Sequence, residues 1–523
     1  MSIAIDLLTR GYFPAEVPPP FVTQTLGDHA LAIGIPQLLQ LVGTGKSRWA
    51  FPVRHNYARA GGLRRPLSIP NPIGYMWLAS ELDGGWKGTL KPLLAQARLC
   101  ASRPVPSAGG VRAFRKTGEK QRERLKAVAR RMARYVVHAD IQNFYPSIYT
   151  HAVPWALHGK AKAKAAQKDK SLLGNRLDWA LQACQGGQTV GIAIGPDASW
   201  VIAESILAKV ELGLSKRFKP LSGYRWIDDY QVYFSSLGEA EKCLAALQEL
   251  LSHYELSLNA RKTRISPLPE PQEASGIWLL RRWEFDDKPR KQSGDLIGYF
   301  DEVFRQIAQD PGGSLAAYAI GRLKSFKCHK QNWELLQSLM FQMLITEPTC
   351  SRFVMEVLAI QKKAGNPVGK KGFRYAAETI ATKHAALGHG SEVAWMLWGS
   401  ITNKVTLSVR TAKAISGMDD CLVALLALHA KDVGLAPKGL DVSQWATSMT
   451  TDQLRGENWL LAYEASIKGW LPSASGADHI QPDPFFNALR TAGVHFYDVS
   501  ALAIPPTQAA IPAGSLAVVS GVG

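Results

Sequence analysis

Three aspartates stand out by their type and setting. Asp228 and Asp229 lie side by side in "GYRWIDDYQVYF", between apolar and aromatic residues, and Asp140 follows the run "RYVVHA". Carboxylates gathered on neighbouring strand ends repel one another. Their charge is best balanced by a divalent cation with hard oxygen ligands, typically magnesium, with manganese as the alternative. Two such ions suit phosphoryl transfer, where one activates an attacking hydroxyl and the other steadies the departing pyrophosphate. Lys262, in "LSLNARKT", adds a flexible cation suited to a triphosphate or to protonating pyrophosphate. A solvated Asp-Asp turn and a plain surface lysine are the rival readings, and Asp140 is what lifts the pair above the first of them.

These residues need elements to hold them. Neighbours on a regular strand point to opposite faces, so Asp228 and Asp229 cannot both serve one site from mid-strand. "YRWI" and "YQVYF" both read as strands, which predicts a β-hairpin with the Asp pair at its tip. "YVVHADI" reads as a half-buried strand that delivers Asp140. In "VGIAIGPDASWVIAES", Gly191 and Gly195 permit close backbone approach to a nucleotide, and Ser199 is expected to begin the helix that follows.

In order and spacing these segments resemble the palm motifs of reverse transcriptases: "DIQNFYPSI" the first, "GIAIGPDAS" the second, "WIDD" the third and "LSLNARKT" the fourth. The resemblance implies that Asp140 and Asp228 hold the metals, that Asp229 assists, and that the backbone carbonyl of Ile141 joins the shell. It places Tyr145 where an aromatic ring packs against the sugar and excludes a 2′-hydroxyl, favouring deoxynucleotides. "RRPLSIPNP" resembles a fingers segment in which Arg65, with Pro70 five positions on, meets the triphosphate; Arg64 is its rival. The chain departs from the family at Ala193 and Ile194, where Pro-Gln is usual, and at Glu204, where many members have Asn.

The wording of "RGYFPAEVPPPF", "LSIPNP", "FYPSIYTHAVPWALHGK" and "IGPDAS" is similar to that of bacterial abortive-infection and defence-associated reverse transcriptases, over residues 10 to about 270. That resemblance implies an α+β fold: reverse-transcriptase-like palm and fingers, then an all-α, helical-repeat (HEAT-like) domain. It also implies an RNA-directed DNA polymerase in antiphage defence, with synthesis that can be protein-primed and template-independent. Expected partners are deoxynucleoside triphosphates, a DNA product, an RNA template or associated non-coding RNA, and further copies of the chain. The rival function is a catalytically silent scaffold that binds nucleic acid and senses phage or RNA.

Composition agrees with a large folded nucleic-acid binder. The 523 residues are 46% hydrophobic, enough for a sizeable core, and the formal charge of +18 favours a polyanionic partner. Ten basic residues against two acidic ones between Val111 and Val136, and five lysines in "GKAKAKAAQKDK", are candidate phosphate contacts; a solvated helix face and a disordered loop are their respective alternatives. The six cysteines form no CxxC pair, which argues against a zinc site or a disulfide framework and for a reducing compartment. The opening apolar run is short and broken by Asp6, and no stretch reaches the ~20 apolar residues of a membrane span, so a cytoplasmic protein without membrane contact is expected. Domain boundaries are expected at 1–290 for fingers and palm, 291–500 for the helical region and 501–523 for a low-complexity tail.

Overall fold

The computed structural model describes residues 2–501, apart from 118–121, 220, 274, 312–314 and 437–438. Of the expected tail only Ala501 falls among them.

The chain is mixed α+β, mostly helical with small antiparallel sheets. The strands are β1 (Val53–Ala58), β2 (Arg64–Ile69), β3 (Pro104–Pro106), β4 (Phe114–Lys116), β5 (Tyr135–Asp140), β6 (Ser222–Trp226), β7 (Asp229–Phe234) and β8 (Arg264–Pro267). β1 pairs with β2 and β3 with β4, while the last four form one sheet in the order β6-β7-β5-β8. Alternation gives this sheet two unlike faces. Val137, Ala139, Tyr230 and Val232 are buried on one side, against which the helix Leu237–Ser252 packs. That helix is started by Ser236, whose hydroxyl accepts the Glu239 N–H, a capping pattern legible as Ser-x-x-Glu. His138, Asp140, Asp229 and Gln231 occupy the other face and line an open cavity of about 470 Å³.

Beyond β8 the described residues contain helices and no further named strand. The helix Trp333–Thr346 packs on Lys370–Ala385, Ser351–Lys363 on Gly390–Asn403, Gly390–Asn403 on Cys421–Asp432, and Cys421–Asp432 on Trp459–Ile467. Each helix thus meets the one two places along, which leaves its opposite stripe for the next neighbour. Apolar packing is continuous between this region and the β6-β7-β5-β8 sheet. A seam also joins distant parts of the chain: Val22 N–H donates to the Phe496 carbonyl at 3.0 Å, Asp498 N–H to Pro20 at 2.8 Å, and Phe21 bridges Tyr497. No helix among the described residues is long and apolar enough to cross a membrane.

Candidate active site

β6 and β7 are joined by two residues, Ile227 and Asp228, with Trp226 opposite Asp229. The expectation of both aspartates at the tip therefore needs correction: Asp228 lies in the turn, and Asp229 is already the first residue of β7. This frees the two carboxylates from a shared direction. Ile227 sits at φ 55, left-handed backbone that a β-branched residue rarely adopts, so its surroundings must hold it there. They do so at both backbone groups. Its N–H donates to Ser102 Oγ at 2.8 Å, and its carbonyl accepts from Arg225 Nη1 at 2.7 Å. Ser102 in turn donates to Glu204 Oε1 at 2.6 Å, while the fully buried Arg225 pairs with Glu204 at 2.8 Å and Glu211 at 2.5 Å. Glu204, where the sequence departs from the motif it resembles, is thus part of an ionic scaffold beneath the aspartate turn.

Asp140 ends β5 directly opposite Asp229. The "LSLNARKT" segment closes over it: Asn259 N–H donates to the Asp140 carbonyl at 2.8 Å, Asn259 Nδ2 to Oδ1 at 3.3 Å, and Lys262 Nζ to Oδ2 at 3.3 Å. The next residue, Ile141, is buried, and its N–H donates to the Asp228 carbonyl at 3.3 Å, tying the β5 end to the turn. Burial raises the pKa of all three carboxyls. Lys262 opposes the rise at Asp140, whereas the charge of Asp140 adds to it at Asp228. At Asp229 the rise is opposed by Lys126 and by Arg122, whose guanidinium lies 3.9 Å away. The trio is therefore unequal: Asp229 has its own cations, and Asp140 has Lys262. Asp228 is fully buried with no hydrogen-bond partner at either oxygen. A buried, unpartnered carboxylate beside a second one is costly unless a cation joins it, so these residues fit a divalent ion.

Of the remaining expected residues, Tyr145 lies within electrostatic reach of Asp228. Tyr145 lies half-buried in the short helix Phe144–Ser147, and its carbonyl accepts the Ile192 N–H at 3.0 Å. Its hydroxyl pKa is raised, first by burial and then by Glu204 and Asp228, with Arg65 opposing. Gly191 and Gly195 both have positive φ, at 89° and 125°, as their residue type permits. The space a Cβ would need at Gly195 is filled by Pro14, 2.4 Å away, so the close approach there is to protein. Ser199 does not begin its helix. The helix starts at Asp197, and Ser199 is buried within its first turn. Ile194 gives its carbonyl to the Ser68 N–H at 3.0 Å and so couples this loop to β2.

Of the two rival arginines, Arg64 is committed to Glu392 at 2.6 Å, while Arg65 lies on the opposite face of β2 and acts electrostatically on Tyr145. Arg59, at the end of the β1–β2 hairpin, was not singled out by sequence, yet the charges of Asp228 and Asp140 both act on it. The signal that could have found it is the cluster of arginines in "ARAGGLRRP". The first basic stretch divides. Arg112 pairs with Asp197 and Arg122 stacks on Trp226 at 5.2 Å, whereas Arg115, Arg124, Arg131 and Arg134 are exposed. The second stretch is ordered, since Lys160–Ala165 is helical with Lys160 over the Trp155 ring at 4.1 Å.

No family model matches the chain, and no curated protein does. Among solved structures the chain is similar to apo telomerase from Candida Tropicalis, with a TM-score of 0.30 and 11% identity over 67% of this chain and 68% of that one. A likeness at this level carries no weight for the site, whose reading rests on its own geometry.

Proposed function

We propose that the chain is a nucleotidyltransferase of reverse-transcriptase type that adds deoxynucleotides to a primer end. What supports this above all is Asp228, a buried carboxylate without a partner, held on a strained and doubly pinned turn beside Asp140. Asp140 and Asp228, with the Ile141 carbonyl, would hold magnesium, which when bound activates the attacking hydroxyl and neutralises charge on the phosphates. Asp229 balances Arg122 and Lys126 at the edge of the cavity and so keeps those cations off the pair. Lys262 exchanges Asp140 for the incoming triphosphate, Arg65 and Arg59 flank that triphosphate, and the Tyr145 ring lies under the sugar. The exposed arginines of 111–136 track the nucleic-acid backbone without reading its sequence. The place of this activity in antiphage defence, with protein priming and no template, rests on the sequence resemblance.

One observation favours the scaffold reading: Lys262 already sits 3.3 Å from Asp140, a cation that partly balances the carboxylates without a metal. Incorporation of labelled deoxynucleotides by purified protein in magnesium, with and without template and primer, decides between the two. Activity lost in the Asp228→Ala, Asp229→Ala double variant while nucleic-acid binding persists supports the enzyme. Equal function in the variant refutes it. A label whose mobility shifts after protease digestion identifies protein priming.

A further inference from the structure

A second cluster of ligating side chains lies about the turn between the helices Lys370–Ala385 and Gly390–Asn403. His384 is in the last turn of the first helix. Gly388, at φ 65, reverses the chain so that His389 N–H donates to the His384 carbonyl at 3.0 Å and the His389 ring folds back over that of His384. Glu392 follows in the first turn of the second helix. The two Nδ1 atoms are 2.9 Å apart, and Glu392 Oε1 lies 3.3 Å from His384 Nδ1 and 3.7 Å from His389 Nδ1. Among the described residues this is the group of three whose ligand atoms lie within 4.8 Å of one another. We propose that His384, His389 and Glu392 form a binding site for a zinc-class divalent metal ion.

The geometry can be tested against coordination chemistry. A triangle with edges of 2.9, 3.3 and 3.7 Å has its centre about 1.9 Å from each corner, so an ion about 2.1 Å from all three ligands would sit about 0.8 Å off their plane. An ideal tetrahedron places the ion about 0.7 Å off, and one face of an octahedron about 1.2 Å off, so the spacing favours a tetrahedral ion with a fourth position left for water. The carboxylate is prepared for the role. Arg64 donates to both Glu392 oxygens at 2.6 and 2.9 Å, and Ser391 Oγ donates to Oε2 at 2.6 Å, the outer support that ligating carboxylates require. The ligand residues are well enclosed, with Glu392 and His384 buried and His389 21% exposed in its side chain.

The same turn carries the β1–β2 hairpin. Besides the Arg64 pair, Asn56 Nδ2 donates to the Gly388 carbonyl at 2.9 Å, and Ala58 N–H to Ser391 Oγ at 3.0 Å. A metal here would stiffen the surface on which Arg59 and Arg65 are mounted.

The full chain, stripped with a chelator and returned to buffer containing excess magnesium, is titrated with cobalt(II) and then with zinc. The expected result is the intense visible spectrum of tetrahedral cobalt, saturating at a single equivalent and displaced by zinc. His389→Ala, at a partly exposed position, should weaken zinc by more than the about 10- to 100-fold that loss of an outer-shell partner costs. His389→Cys should retain the metal and add a thiolate-to-cobalt charge-transfer band. Absence of the tetrahedral spectrum in the natural protein, or an unchanged spectrum in both variants, overturns the site.

Discussion

Replacing Ser102 with alanine tests whether the aspartate turn is held from beneath. The variant removes one oxygen that joins two partners, accepting the Ile227 N–H and donating to Glu204. An N–H left without an acceptor costs up to about 1–3 kcal/mol when buried, and the Ile227 N–H is partly so. Left-handed backbone at a non-glycine residue stores a similar amount, about 1–3 kcal/mol, which the network now opposes. Hydrogen exchange followed by mass spectrometry should therefore show the amides of residues 223–234 exchanging about 5- to 150-fold faster in Ser102→Ala. Deoxynucleotide incorporation should fall with them, because Asp228 is carried by the same turn. Ile227→Gly relieves the backbone strain, so in the double variant the two effects should fail to add, with a coupling of about 1–2 kcal/mol. Unchanged exchange in Ser102→Ala, or strict additivity in the cycle, would refute the idea that this hydrogen-bond pair positions the site.

Other consequences are open to direct measurement. Tyr145→Ala should raise ribonucleotide use relative to deoxynucleotide use by at least about 10-fold in competition assays, and unchanged sugar preference would remove Tyr145 from that role. Arg59→Ala should raise the nucleotide KM by about 10- to 100-fold with a smaller effect on kcat, as for loss of a hydrogen bond to a charged group. Burial, partly offset by Lys468, pushes the Glu464 carboxyl up to about 7 from 4.5. Its folded pKa is the higher one, so its contribution to stability is complete below about pH 4.5 and is lost as pH rises to about 7, a swing on the order of 3 kcal/mol. Glu464→Gln should therefore flatten the decline in melting temperature across that window; parallel curves for variant and natural protein would contradict the assignment.

The parts of the site legible in the sequence were those with local causes. Alternating apolar residues around "VVHAD" and "YQVYF" announced β5 and β7, and a short turn between two strand-like runs announced the hairpin that separates Asp228 from Asp229. The error about the tip was a matter of one residue, and only the pairing register resolves it. Ser199 misled because a serine before an apolar run is a common helix start, yet Pro196 and Asp197 already supply the cap position and a first-turn acid. What the sequence could not disclose was non-local. Ser102 lies 125 positions from Ile227, and Arg64 lies 328 from Glu392, so neither partnership leaves a periodic trace. The histidine cluster escaped for a related reason: scanning for cysteine pairs looks past ligands that a helix turn and a reversal bring together.

The seam between residues 20–25 and 495–498 also bears on how the protein is made. Thr25 and His495 exchange two hydrogen bonds of 3.0 Å, and Phe496 inserts among Tyr12, Phe13 and Tyr463. During synthesis Tyr12 and Phe13 leave the ribosome long before Phe496 exists, so the side of them that it covers stays open while the intervening residues are translated. A nascent chain arrested before Phe496 would therefore carry an unsealed N-terminal surface, and chaperone occupancy along the message should persist until that residue has emerged.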